Sequence, residues 1–557
     1  MTPAIDATGE TPDTEGAFPR LRDRQIAELE PYGKRRATRR GEVLFRQGDR
    51  HYDLYVVLSG LVATVDGHGT DQERVIAVHG AGRFLGEIGL LTGQAALFTA
   101  VVVRPGEVLE VPARSLREIV PNDPALGDLI VRACILRRTI LWEAGGGLKI
   151  IGSRFSEDTR RLREFAIRNR IPHRWLDLEG DDEGEELLRR CGLGPEETPV
   201  VIWGEQVLRN PGNSELAEVM GLRDLVDTDA AWDLIIVGAG PAGLAAAVYG
   251  ASEGLRTILV DAVATGGQAA TTSRIENYLG FPSGISGTEL AERATIQARK
   301  FGAHITVPAE GRSITRQNGH HVVVLDDGSE FSARSVVIAT GARYRTLAVP
   351  RLEQFEGTSV YYAATWMEAE LCRGDEVAVV GGANSAGQAT VFLAQFTPHV
   401  RLIIRHDELG RDMSRYLADR IEHTPNVEVL RHSEVRELIG EHALEAIVVE
   451  DLRTEERRRV GARALFVFIG AEPHTGWLGQ HVRLDESGYV LTGSAAANGE
   501  GDPLALETSV PGIFAVGDVR HGSVKRMASA VGEGSMAVRL VHEHMASRGH
   551  VVPPLDV

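Results

Sequence analysis

Short apolar runs broken by glycine dominate residues 21–143: EVLFRQGD, LYVVLSGLVATVDG, ERVIAVHGAG and TAVVVRPGEVLEVPA. Alternation with regular turn signals predicts short strands, and hence an all-β barrel or jelly roll. A helical period follows over 126–142 and stops at Gly145-Gly146-Gly147, a linker sequence. Residues 148–222 change rhythm. Strand LKIIG, a helix over 158–169, strand HRWLDLE, helix EGEELLRRCG, strand PVVIW and helix NSELAEVMG predict a small α/β sandwich. LRDLVDTDAAW then reads as a polar connector. From Trp232 onward the pattern is α/β throughout. Two apolar strands, DLIIVGAG and EVAVVGGA, each run straight into glycines and a helix-forming stretch, which predicts two nucleotide-binding units.

Composition narrows the picture. At about 150 residues per domain, 557 residues make three or four domains. A 43% hydrophobic and 25% charged chain is an ordinary globular protein. The net charge of −18 argues against nucleic acid as a partner, because a phosphate backbone wants a basic stripe. Residues 1–20 are acidic and rich in Pro, Gly and Thr, without the basic start and apolar run of a signal peptide; they are expected to form a disordered leader. No apolar stretch of about 20 residues occurs, so no membrane span and a cytoplasmic location are expected. The three cysteines, Cys134, Cys191 and Cys372, form no C-x-x-C. That excludes a disulfide framework and a cysteine zinc site, and no metal is expected.

The first glycine unit carries specific chemistry. Gly238, Gly240 and Gly243 give G-x-G-x-x-G directly after a strand, with Pro241 and Ala242 opening the helix. The first glycine makes the tight turn, the second lets a pyrophosphate approach the backbone, and the third lets helix and strand pack closely. Asp261 ends the next strand, RTILVD, where a carboxylate can accept ribose hydroxyls.

With Gly266-Gly267-Gln268, Glu276-Asn277-Tyr278, the Ala339-Thr340-Gly341 turn and TSVPGIFAVGD at 508–518, the chain from Trp232 to about Ser547 resembles the low-molecular-weight thioredoxin reductases, within the flavin disulfide-reductase group. The resemblance implies an FAD site that includes Gly267, Gln268, Asn277, Thr340, Gly341, Gly517 and Asp518, the aspartate holding the ribityl chain and phosphate. It places Arg526, Met527 and Ala528 beside the isoalloxazine, with Met527 standing where glutamine is usual. The second unit, Gly381, Gly382, Ala383, Asn384, Ser385 and Ala386, carries alanines in the second and third fingerprint places. The strand after it, VRLII, ends in Arg405-His406 rather than in an acid, with Arg411 close by. Cations there favour the 2′-phosphate of NADPH over NADH.

One departure from the resemblance matters most. The family's redox C-A-T-C pair falls at Ala364 and Met367, and Trp366 between them is a candidate cover for the flavin. Cys372 is alone and reads as a packing residue. Disulfide exchange needs an attacking thiolate and a second sulfur, whereas hydride transfer from a nicotinamide to a flavin needs neither.

Residues 21–143 resemble the cyclic-nucleotide-binding domains through GEVLFRQGD, Leu58-Ser59-Gly60 and FLGEIGLL. In such a pocket Gly86 and Glu87 would face the ribose. The phosphate-pairing arginine's place falls at Phe98, so the pocket is degenerate, and the domain is expected to take a cyclic nucleotide loosely, another ligand, or none. Residues 148–222 resemble the glutaredoxin-like thioredoxin fold, with Thr198-Pro199 as its cis-proline loop and SRFSEDT where the cysteine motif should open the first helix.

The expected architecture is therefore multidomain. A leader (1–20) precedes a cyclic-nucleotide-binding-like β-barrel (21–146) and a thioredoxin-like α/β domain without C-x-x-C (147–222). Two Rossmann-like units follow, for FAD (232–348 and 476–557) and for NAD(P)H (349–475). The expected function is that of a homodimeric, FAD-dependent NADPH oxidoreductase with an N-terminal regulatory module. Its flavin would be reoxidised by a non-dithiol acceptor: a quinone, ferredoxin, oxygen or a partner protein. Two alternatives stand beside it, a thioredoxin-disulfide reductase using a partner's cysteines and a redox or ligand sensor without turnover.

Overall fold

The computed structural model describes residues 9–549 apart from 15, 71–72, 144–145, 181, 205, 224–230, 273–274, 276–277, 357, 363, 365, 442 and 498–502. Residues 224–230 of the polar connector and Asn277 lie outside the described residues, as does the side chain of Met367.

Two long strands, Leu54–Asp66 and Thr99–Val111, pair antiparallel and form the spine of a six-stranded barrel sheet. Their inward residues, among them Leu54, Val56, Val108 and Val111, are fully buried, as alternating apolar positions require. Helix Pro124–Glu143 closes the barrel through Leu126, Ile130 and Ala133. The described residues of the leader, from Gly9 onward, depart from expectation. Thr11 and Val78 exchange hydrogen bonds at 3.1 and 2.8 Å, and Ala17 and Phe18 are buried against Ala77. Phe18 supplies enough apolar burial to order a segment whose composition otherwise reads as disordered.

The small domain is a four-stranded sheet with strands 206–209, 200–203, 148–151 and 173–176 side by side, and the Thr198–Pro199 peptide is cis. It shares one core with the barrel, because Leu97, Phe98 and Leu141 pack with Leu148, Phe165, Trp203 and Leu216.

In the first nucleotide unit, strands Trp232–Val237, Thr257–Val260, His304–Thr306, Glu330–Ile338 and Ile513–Ala515 run parallel, with an antiparallel hairpin at one edge. The strand WDLIIV is buried almost throughout, as a parallel strand covered on both faces must be. Helix Pro241–Ser252 packs on the C-terminal helix Met527–Ser547, which returns the chain to this unit. The second unit is a five-stranded parallel sheet, 360–361, 464–467, 376–380, 399–403 and 427–430, flanked by a three-stranded antiparallel one. A two-stranded ribbon, Ala342–Tyr344 with Ala471–Pro473, joins the units.

The N-terminal modules lean on both units. Ile296 of helix Gly287–Lys300 is part of the barrel's core cluster, and Arg138 forms a buried 2.7 Å ion pair with Glu292 of the same helix. Arg160 of the small domain donates to the Glu356 carbonyl at 2.8 Å.

Candidate functional site

The three glycines at the first strand–helix turn each face a different constraint. Gly238 has φ +110°, and a Cβ there would lie 2.3 Å from the Ala339 carbonyl oxygen. At Gly243 a Cβ would meet the Gly238 carbonyl oxygen at 1.8 Å, so only hydrogen allows helix and strand this close. Around Gly240 nothing lies within 4 Å of a Cβ position, leaving bare backbone facing open space at a helix N-terminus. Bare backbone at a helix start, with its N–H groups outward, fits a pyrophosphate.

That open space is a cleft of about 1280 Å³. It is lined by Gly238, Gly240, Pro241, Ala242, Asp261, Gly267 and Gln268, and by Thr340, Gly341, Gly517, Asp518, Arg526 and Met527. Gly243 lies behind the turn, and Ala528 is not among the lining residues. The Gln268 side chain donates to the Ala342 carbonyl and Thr340 to the His474 carbonyl, which fixes both before any ligand binds. Asp261 is already engaged: its carboxylate accepts N–H groups from Ala239 at 2.7 Å, Val263 at 2.9 Å and Ala264 at 3.1 Å. It therefore braces the glycine turn against loop 261–267 as well as facing the cleft. Burial raises the Asp518 carboxyl above its ordinary value, and the nearby Lys525 ammonium works against that rise. Sequence reasoning passed over Lys525, His474 and Trp477, all of which line the cleft. They lie outside any glycine pattern and carry no local signal.

The second unit repeats the turn with less space. Gly381 has φ +141° and would clash with the Phe468 carbonyl, while Gly382 is open. Ala383 stands extended as the residue before helix Asn384–Leu393, and Ala386 packs behind the turn, 3.1 Å from the Gly381 Cβ position. Asn384 and Ser385 line the same cleft as the first fingerprint, so both helix starts open onto one space. The cations beyond this unit's next strand divide: His406 Nδ1 and Arg411 lie 3.1 Å apart, whereas Arg405 turns to Glu434 in a 2.6 Å ion pair.

Of the residues before strand Glu376–Val380, Ala364 is buried, and Trp366 is 54% exposed and lines the cleft. Cys372 is buried against Ala364, and desolvation, with the Asp375 and Glu368 carboxylates, pushes its thiol up to about 12. A thiol held protonated in this way is inert.

The barrel pocket is closed by protein. Glu87 is buried; its carboxylate accepts the Leu97 N–H at 2.9 Å, and burial pushes its pKa up to about 7. Gly86 gives its carbonyl to Arg137 at 3.0 Å. Phe98 is 2% exposed and packed into the small domain's core.

Two dinucleotide-type turns opening onto one cleft define a flavin- and pyridine-nucleotide-dependent oxidoreductase. Comparison with known proteins agrees. The model of the pyridine nucleotide-disulphide oxidoreductases matches residues 232–534, and that of the cyclic nucleotide-binding domain matches 35–123. The chain is 35% identical to the thioredoxin reductase of Treponema pallidum (strain Nichols) over 312 residues, 56% of this chain and 96% of the relative. It is 31% identical over 316 residues to the 34.2 kDa protein in the rubredoxin operon of Clostridium pasteurianum, covering 57% of this chain and 98% of that one. The crystal structure of T. acidophilum thioredoxin reductase superposes with a TM-score of 0.52 at 30% identity, over 57% of this chain and 99% of that one. The chain belongs to the pyridine nucleotide-disulphide oxidoreductase family, and it is an FAD-dependent NAD(P)H oxidoreductase.

Proposed function

We propose that the chain takes hydride from NADPH onto FAD and passes the electrons to an acceptor other than a dithiol. FAD, when bound, supplies the two-electron acceptor for that hydride. The residues of this chain hold and orient: the bare backbone at Gly240 and Gly382 receives pyrophosphates, and Thr340, Gly341, Asp518 and Arg526 face the flavin half of the cleft. One observation carries the acceptor reading. Trp366 lines the cleft, whereas Ala364 and Cys372 are buried in the second unit's core, the thiol of Cys372 suppressed. His406 and Arg411, brought together beyond the second fingerprint, favour the 2′-phosphate of NADPH.

The small domain is read as a glutaredoxin-like fold without its thiols, a reading supported by its sheet order and cis-proline loop. The barrel serves as a regulatory and docking module rather than a cyclic-nucleotide receptor, since Leu97 and Phe98 fill the phosphate position. By family likeness the protein works as a cytoplasmic homodimer.

Anaerobic mixing with NADPH is expected to bleach the flavin. A screen of quinones, ferredoxin and oxygen should then identify what restores its colour. Reduction of a dithiol protein at the rate of a cysteine-bearing relative would overturn the acceptor reading, and absence of bleaching would favour a sensor.

A further inference from the structure

Loop 261–267 lines the cleft next to the first glycine turn, where the adenosine side of an extended dinucleotide lies. Part of the cleft's lining comes from outside the nucleotide units. It is supplied by Arg168 and Arg170 at the end of the small domain's helix Glu157–Arg168, and by Ile135, Leu136, Thr139 and Trp142 of the barrel's closing helix. The loop is also gripped from that side. Asn169 donates its amide to the Val263 carbonyl at 3.0 Å, and Arg170 donates to the Thr265 carbonyl at 3.1 Å.

Arg170 sits there against two penalties. Its backbone has φ +56°, a conformation that side-chain-bearing residues avoid, and burial pulls its pKa below the usual guanidinium value. The charges around it do not balance. Arg138 and Arg170 flank one carboxylate, Glu292, already committed to Arg138 at 2.7 Å. A half-buried guanidinium with donors to spare at the edge of a cleft calls for an anion.

We propose that Arg170, with Arg168 beside it, completes the FAD site from the fused small domain and pairs with the cofactor's adenosine-diphosphate half, so that the N-terminal modules set how tightly FAD is retained. The inference rests on the FAD assignment and is independent of the acceptor.

The test is Arg170→Gly in the full-length chain. Glycine removes the guanidinium while being the residue that φ +56° prefers, so the melting temperature of the FAD-free protein should hold or rise. The dissociation constants of FAD, read by flavin fluorescence, and of ADP, read by calorimetry on the FAD-free protein, should each rise about tenfold. Arg170→Lys keeps the charge and should recover most of that loss. Arg168→Ala, at the same wall, supplies a second variant should Arg170→Gly not fold, and should weaken ADP binding about threefold. FAD and ADP constants within about twofold of wild type in the folded variants would overturn the proposal. Wild-type protein that binds no FAD would instead overturn the cofactor assignment on which it stands.

Discussion

Two nucleotide-type pockets in this chain have met opposite fates. At the flavin cleft the binding surface is backbone, from Gly240, Gly267 and Gly341, and it stays open. In the barrel, Leu97 and Phe98, which stand ten and eleven residues after Glu87, are core residues shared with the small domain. A site made of backbone shape survives side-chain drift, whereas one made of a single cation turns into an interface once the cation is gone.

The comparison can be broken most forcefully at Phe98. Phe98→Arg restores the missing cation but buries it in an apolar junction, so unfolding free energy should fall by about 3–5 kcal/mol in urea titration. Calorimetric binding of cyclic AMP by that variant would show the pocket to be recoverable and the comparison mistaken. Next come two glycines with opposite expectations. Gly243→Ala drives a Cβ into the Gly238 carbonyl and should cost about 3 kcal/mol of stability. Gly240→Ala meets nothing within 4 Å, so its melting temperature should hold while FAD affinity drops by about 1–3 kcal/mol. Equal stability losses in both would remove the distinction between packing glycine and ligand glycine.

The smallest effect concerns Glu87. Its folded pKa of about 7 stands above the ordinary carboxylate value, so the folded chain keeps a proton that the unfolded chain gives up. That contribution to stability is whole in acid below the unfolded value and is lost as pH rises through about 7. Glu87→Gln should therefore match wild type near pH 4 and exceed it by about 1–3 kcal/mol at pH 8. A pH-independent difference between the two would show that Glu87 titrates normally.

The glycine turn could be read from sequence because two of its demands are local: Gly238 takes φ +110°, and Gly243 faces the Gly238 carbonyl within the same turn. That Cys134, Cys191 and Cys372 make no C-x-x-C was equally plain, since cysteines can be counted. Other features depend on distant partners. Phe98 was visible as an absent charge, but its cover, Leu148, Phe165 and Trp203, comes from another domain. Arg405, His406 and Arg411 were grouped by proximity, yet Arg405 is drawn away by Glu434 across a strand. Composition marked residues 1–20 as disordered because it gave no weight to Ala17 and Phe18, whose partner Ala77 lies far along the chain.

Helix Glu157–Arg168 holds the first nucleotide unit just past its last turn, where Arg170 reaches Thr265, and the second unit near its first turn, where Arg160 reaches Glu356. A helix of twelve residues is a rod of about 18 Å that neither stretches nor bends at low cost. Mechanically it is a strut set between the two units. Any swing of one unit against the other about the 342–344 and 471–473 ribbon must let go of one end of it.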